Sequence, residues 1–225
     1  RRQKQMNKKM LSLPYLFWCA AFILIPLAMV FYYGFTDKTG AFTLENILAI
    51  ATPEHFKALR ISILLSLIAT VVCLLLAYPL AMILARMEVN THSFIVLIFI
   101  LPMWMNFLLR TMAWQTLLEK NGVINSVLSF LHLPSLNLIN TPGAIILGMV
   151  YNFLPFMVLP IYNSLTKIDQ NVINAARDLG ANSVHTFFKI TLPLSLPGVI
   201  SGITMVFVPA LTTFVISTLL GGSKI

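Results

Sequence analysis

Residues 61–85 read ISILLSLIATVVCLLLAYPLAMILA, a stretch of 25 residues without one charged side chain. About 20 apolar residues in a helix cross the hydrocarbon core of a bilayer. Lipid offers the backbone no water, so a run of this length satisfies its own peptide groups as an α-helix. Four further runs qualify by the same test, at about 13–35, 94–114, 143–165 and 198–220, and Arg110 is the one charge within them. The composition agrees: 58% of residues are hydrophobic and 10% charged, with a mean hydropathy of +0.88. A soluble domain is about half apolar and about a quarter charged. The expected fold is therefore all-α and polytopic, with five spans.

The net charge of +8 does not point to nucleic acid, because the basic residues form no single patch. Arg1, Arg2, Lys4, Lys8 and Lys9 crowd the amino terminus ahead of the first apolar run, which is a membrane-orientation signal. With that end in the cytoplasm, the internal segments hold those five plus Arg86, Lys167, Arg177 and Lys189, and the external ones hold Lys38, Lys57, Arg60, Arg110, Lys120 and Lys224. The bias favours an amino terminus inside, which places residues 166–197 in the cytoplasm. The first run is long enough to span and ends without a small-x-small cleavage site, so it is not read as a removed leader. Cys19 and Cys73 lie inside apolar runs and read as small hydrophobes. His55, His92, His132 and His185 fall in loops or at edges, and the spans contain no Asp or Glu. Neither a catalytic nor a metal centre is expected, which argues against a membrane-embedded enzyme. An ion channel or secondary transporter would usually show internal repeats or several intramembrane ionisable residues.

Between two apolar segments lies a polar island, NAARDLGANSVHTFFKITLPLSLP (174–197). Asp169 is placed to cap a helix carrying Val172, Ala176 and Leu179 on one face, and Gly180 to end it in a left-handed conformation. Asn182 or Ser183 is placed to cap a second short helix, with Val184, Phe187 and Phe188 on its apolar side. Pro193 and Pro197 are expected to break the chain before the fifth span. The outcome is a helix–turn–helix at the membrane surface, with a small-residue patch at Ala175-Ala176 that admits close approach by a partner. An ordinary amphipathic interfacial loop is the alternative.

Ala175-Ala176, Gly180 and Ile190-Thr191-Leu192-Pro193 reproduce the spacing of the coupling loop of ABC importer permeases, and the chain resembles that family. The stretches 101–128, 141–169 and 211–225 look like the permease subunits of polyamine (spermidine/putrescine) importers, more specifically the first of their two permeases. The resemblance implies a type I importer transmembrane domain over 1–225, with a coupling loop at 166–197 in which Asn174, Ala175, Ala176, Asp178, Gly180, Phe187, Ile190, Leu192 and Pro193 meet an ATPase. Asn174 stands where the family usually has glutamate, so an ionic contact is lost there.

The same resemblance implies two ATP-binding subunits, a sister permease completing a heterodimer, an extracytoplasmic polyamine-binding protein and a multi-pass location in the bacterial inner membrane. ATP and Mg belong to the partner, because Gly222-Ser223-Lys224 lacks the residue order that cradles phosphate. Such permeases usually return through a sixth helix, which is expected after residue 225. Related permeases carry anions, iron or thiamine, and an anion permease is the main rival, with Arg110 as its support.

A polycation is hosted by aromatic faces and carboxylates. The candidate pathway residues are Trp104, Asn106, Trp114, Tyr151, Asn152, Phe156, Phe207 and Phe214, each also readable as packing or lipid-facing filler. Pro155, Pro160 and Pro209 interrupt their spans, either to free carbonyls along a path or as simple kinks. Arg110 is expected near the outer interface, snorkelling or paired with Glu119. The segment Gly122–Leu133 reads either as a docking surface for a binding protein or as an interfacial helix. Gly198 and Gly202 have the GxxxG spacing of close helix packing.

Overall fold

The computed structural model describes residues 13–37, 40–50, 52–87, 97 and 101–221. The chain divides into two compact units, 1–59 and 60–225. In the first, helix α1 (Leu13–Gly34) is 22 residues long, and its most apolar window buries nothing within the protein. Large side chains such as Phe17, Phe22 and Phe31 point outward, as a lipid-facing span requires. A turn of π-helix covers Ala20–Leu24, just ahead of Pro26. The segment after α1 closes on itself through Asn46, whose Nδ2 donates to the carbonyls of Tyr33 and Thr36, both at 3.1 Å. Asn46 belongs to the short helix α2 (Glu45–Ile50).

The second unit contains most of α3 (Pro53–Arg86), α4 (Phe107–Leu118), α5 (Val123–Phe130), α6 (Pro142–Leu165), α7 (Gln170–Asp178), α8 (Ser183–Thr212) and α9 (Phe214–Gly221). Helix α3 buries Ser66, Ala69, Thr70, Cys73, Ala77 and Ala81. Those residues recur at three- and four-residue intervals, so they mark one buried face of the helix.

The densest packing joins α6 to α8. A Cβ at Gly198 would lie 2.5 Å from the Pro160 carbonyl oxygen and 2.5 Å from the Ser164 Cβ; at Gly202 it would lie 2.7 Å from Met157 Sδ. The GxxxG pair thus faces α6, and the two helices run antiparallel. At the other end of α6, Gly148 lies under Leu220 and Ile216 of α9. The Asn140 amide donates to the Leu220 carbonyl at 2.8 Å.

Three expectations about the spans change. Residues 94–96 and 98–100 of the third lie outside the described residues. Past 101–104 the helix stops, and α4 starts afresh where Asn106 Oδ1 accepts from the amides of Leu108 (2.8 Å) and Leu109 (3.4 Å). Asparagine competes for backbone groups and favours caps over helix interiors. The fifth span does not run 198–220. It is helical from Ser183 to Thr212 and ends at Thr213, whose backbone is extended. Thr212 Oγ1 donates to the Val208 and Pro209 carbonyls at that end.

The prolines of the polar island do not break the chain. A π-turn over Phe187–Thr191 widens the helix, and the Leu192 amide bonds the Phe187 carbonyl five residues back. This moves the preceding carbonyls clear of the Pro193 ring, so the helix continues through Pro197.

The α6–α8 contact is backbone-close, so a methyl group there has nowhere to go. Gly198→Ala is expected to destabilise the assembled protein by about 1–3 kcal/mol, read as a lower midpoint in heat-induced aggregation from detergent. Gly143→Ala is the control, since a Cβ there meets only Thr141 Oγ1 at 3.7 Å, and its midpoint is expected to stay put.

Candidate coupling site

Helices α7 and α8 build the polar island, and each starts on a side-chain cap. Asp169 Oδ1 accepts from the Asn171 amide at 2.9 Å. Asn182 Oδ1 accepts from the His185 amide at 2.8 Å. Gly180 has φ +87°; its amide bonds the Arg177 carbonyl at 2.8 Å, and the Ala181 amide bonds the Ala176 carbonyl at 3.0 Å. That pair of bonds is a Schellman cap, which needs a left-handed residue following the helix. Nothing lies within 4 Å of a Cβ built on Gly180. Backbone conformation, not space, is what demands glycine here.

The two capped segments present an apolar face to solvent. Val172 and Leu179 are exposed, Leu179 at 89%, and so are Val184 and Phe188. Asn174, Ala175 and Asp178 are exposed as well, while Ala176, Ile190 and Leu192 are half-buried. Pro193 is exposed inside the continuous helix. Phe187 turns inward: its ring meets Tyr78 of α3 edge-on at 5.7 Å and Phe188 at 4.9 Å. Beneath this region a cleft of about 630 Å³ is lined by Ser164, Lys167, Asp169, Val172, Pro197 and Ser201, among others. It separates the end of α6 from the start of α7.

The candidate pathway residues do not converge on one lumen. Trp114 and Tyr151 come together edge-on at 5.4 Å between α4 and α6. Phe107 stacks on Phe153 at 6.5 Å across the same seam. Asn152, between Tyr151 and Phe153, is 1% exposed; its Nδ2 donates to the Gly148 carbonyl at 2.9 Å. Trp104 is 82% exposed, and Phe156 and Phe207 are half-buried. Asn106 spends its carbonyl oxygen on the α4 cap. The side chain of Phe214 lies outside the described residues.

Arg110 is the main correction. It neither snorkels nor pairs with Glu119; it is 7% exposed, and Nε and Nη1 have no hydrogen-bond partner among the described residues. Phe107, Arg110, Thr111 and Trp114 share one face of α4 by helical spacing; Phe107 and Trp114 meet α6 there, and α4 packs on α9 as well. Asn152 Oδ1 is likewise without a partner among the described residues. Sequence reading also missed Tyr78, the single aromatic residue of the 61–85 run. Its hydroxyl lies 2.8 Å from Ser195 Oγ, buried between α3 and α8. An aromatic residue with a polar tip amid aliphatics was the available signal.

Residues 59–225 match a family described as the binding-protein-dependent transport system inner membrane component. This chain belongs to that family. The match coincides with the second compact unit, which carries the caps and seams just described. Among similar proteins, the spermidine/putrescine transport system permease protein PotB of Escherichia coli is 37% identical over 215 residues, covering 92% of this chain and 78% of PotB. A PotB homolog of Mycoplasma genitalium is 30% identical over 220 residues, covering 97% of this chain and 76% of the relative. The fold matches that of a bacterial ABC transporter involved in import of the acidic polysaccharide alginate. There the TM-score is 0.79 at 17% identity, over 97% of this chain and 78% of the other. The chain is thus a multi-pass inner membrane permease of an ABC importer, a transport subunit that works with a binding protein.

The cap of α8 is a local test of the coupling site. Asn182→Ala is expected to remove about 1 kcal/mol, raising amide hydrogen exchange at residues 183–186 by about fivefold. Exchange in α6 should not change.

Proposed function

We propose that this chain is the permease subunit of an ATP-driven importer of polyamines of the spermidine/putrescine class. The observation that carries the reading is the 37% identity to PotB over 92% of the chain. That span reaches well beyond the family match, which supports taking residues 1–225 as one permease domain. In this reading the amino terminus is cytoplasmic and a sister permease completes a heterodimer. A polyamine-binding protein delivers substrate from outside, and two ATP-binding subunits carry ATP and Mg.

Residues 166–197 are the docking element on one ATP-binding subunit. Val172, Leu179, Val184 and Phe188 supply apolar contact, Ala175 and Ala176 allow close approach, and Asn174, Asp178 and Ile190 flank them. Capped helices with an exposed apolar face are what a docking surface needs, since a rigid element transmits displacement where a loop absorbs it. Gly180 sets the angle between them. Phe187, Leu192 and Pro193 form the junction to the membrane. Trp104, Trp114, Tyr151, Phe156, Phe207 and Phe214 remain the candidates for lining the substrate path, through aromatic faces that attract cations, while Asn152 is sealed among the helices.

The burial of Arg110 weighs against the anion reading. A guanidinium buried among the helices is not presented to a passing solute, so it is not a group that binds an anion directly.

ATP hydrolysis by the reconstituted complex tests the cargo. With the binding protein supplied in turn with spermidine, putrescine, sulfate and ferric iron, the polyamines alone are expected to stimulate hydrolysis. Stimulation by sulfate would sink the polyamine assignment while keeping the importer. A second test addresses the docking element. Gly180→Val forces a β-branched residue into the left-handed region, at roughly 1–2 kcal/mol, and is expected to let hydrolysis continue with transport lost. Gly180→Asn, which tolerates that conformation, should keep both.

A further inference from the structure

Helix α8 is one continuous rod from Ser183 to Thr212, about 45 Å long. Its first turns belong to the docking element and the remainder to the membrane. The π-turn at Phe187–Thr191 and the prolines at 193 and 197 make this junction the weakest stretch of the rod. Tyr78 of α3 braces it from the side. Its ring meets Phe187 within the π-turn, and its hydroxyl meets Ser195 one turn beyond. Ser195 Oγ has a single proton, and it donates to the Leu192 carbonyl at 2.9 Å. The arrangement that uses every proton has Tyr78 Oη donating to Ser195 and Ser195 donating to Leu192. Both bonds are shielded from water: Tyr78 is 9% exposed and Ser195 0%. In α3, Pro79 follows Tyr78 directly and removes one helical bond at the same level.

We propose that Tyr78 is the positioning residue that locks α3 to the coupling junction of α8, so that displacement of the docking element moves α3 together with α8. Resting on the docking role of residues 166–197, the inference adds the route by which motion leaves that element. Helical continuity carries displacement into α8, and close packing passes it to α6; the Tyr78 brace is the side-chain hydrogen bond that carries it sideways into α3. Apolar packing of α3 in the core leaves sliding along α8 open, and a directional hydrogen bond with a ring contact beside it fixes one register. Without the hydroxyl, the ring still packs on Phe187, but the hydrogen bond that sets the register of α3 against Ser195 is gone.

The test uses the whole complex in proteoliposomes and reads substrate transported per ATP hydrolysed. Tyr78→Phe is expected to lower that ratio about fivefold, the effect of one net buried hydrogen bond, with hydrolysis within about twofold. Ser195→Ala should do the same, and the double variant should be no worse than either single one. Should Tyr78→Phe fail to assemble, Ser195→Ala carries the test alone. A merely structural Tyr78 would reduce the yield of complex while leaving the ratio of the surviving molecules unchanged, and that result overturns the proposal. Gly180→Val is run alongside. If it uncouples and Tyr78→Phe does not, the brace is wrong and the docking assignment stands. If neither uncouples, the docking assignment falls and takes the brace with it.

Discussion

The approach of Gly198 to the Pro160 carbonyl is the contact on which the second unit depends. In lipid there is no hydrophobic gain from burying one apolar helix against another, so association rests on close packing and on the few polar contacts available. Gly198 and Gly202 let α8 lie against α6 almost backbone to backbone. Six residues separate Gly198 from Leu192, less than two turns of helix, so this contact also fixes where the π-turn and the start of the docking element emerge. The 630 Å³ cleft opens at that point, because α6 ends and α7 departs where α8 is still straight. Gly148 repeats the device at the other end of α6, where it admits α9.

Proline is the second constraint, and the chain meets it the same way twice. The π-turn Ala20–Leu24 is followed by Pro26, and the π-turn Phe187–Thr191 by Pro193. In each case the proline stands six residues after the first residue of the wide turn. A ring that would collide with the carbonyl four residues back fits when the bonds are shifted to five residues. In water such a site would be a natural helix end, since the freed carbonyls would be hydrated. Within a span the freed groups have no such outlet, so in α1 widening the helix costs less than ending it; at Phe187–Thr191 the same device carries the helix from the docking element into the span.

That difference explains how the sequence succeeded and failed as a guide. Long charge-free runs made the membrane class plain, and the caps at Asp169 and Asn182 and the left-handed Gly180 were readable because local chemistry alone dictates them. The ends of the third and fifth spans were not readable. Asn106 looked like a pathway amide, and its use as a cap depends on a helix start hidden inside an apolar run. Pro193 and Pro197 looked like stops because proline conflicts with bonds that run four residues back, and no local pattern announced the π-turn that carries the helix on. Arg110 was placed at the interface because an isolated charge should seek water, yet the packing of α4 on α6 overrode that preference. The Tyr78–Ser195 bond joins residues 117 apart, and no local pattern announces such a pair.

The missing carboxylates bear on the mechanism. A polyamine crossing apolar runs that hold no Asp or Glu meets no fixed negative charge from them at membrane depth. Aromatic faces attract an ammonium by about 0.5–2 kcal/mol each, too little to trap it and enough to replace part of its hydration. Such a path favours release over retention, which suits a subunit whose substrate is captured elsewhere by a binding protein. Selectivity then belongs to the capture step, and the permease needs only to open at the right moment. On that division of labour, the parts of this chain that matter most are the ones that keep α3, α6 and α8 in register with the docking element, the Gly198 contact and the Tyr78–Ser195 bond among them.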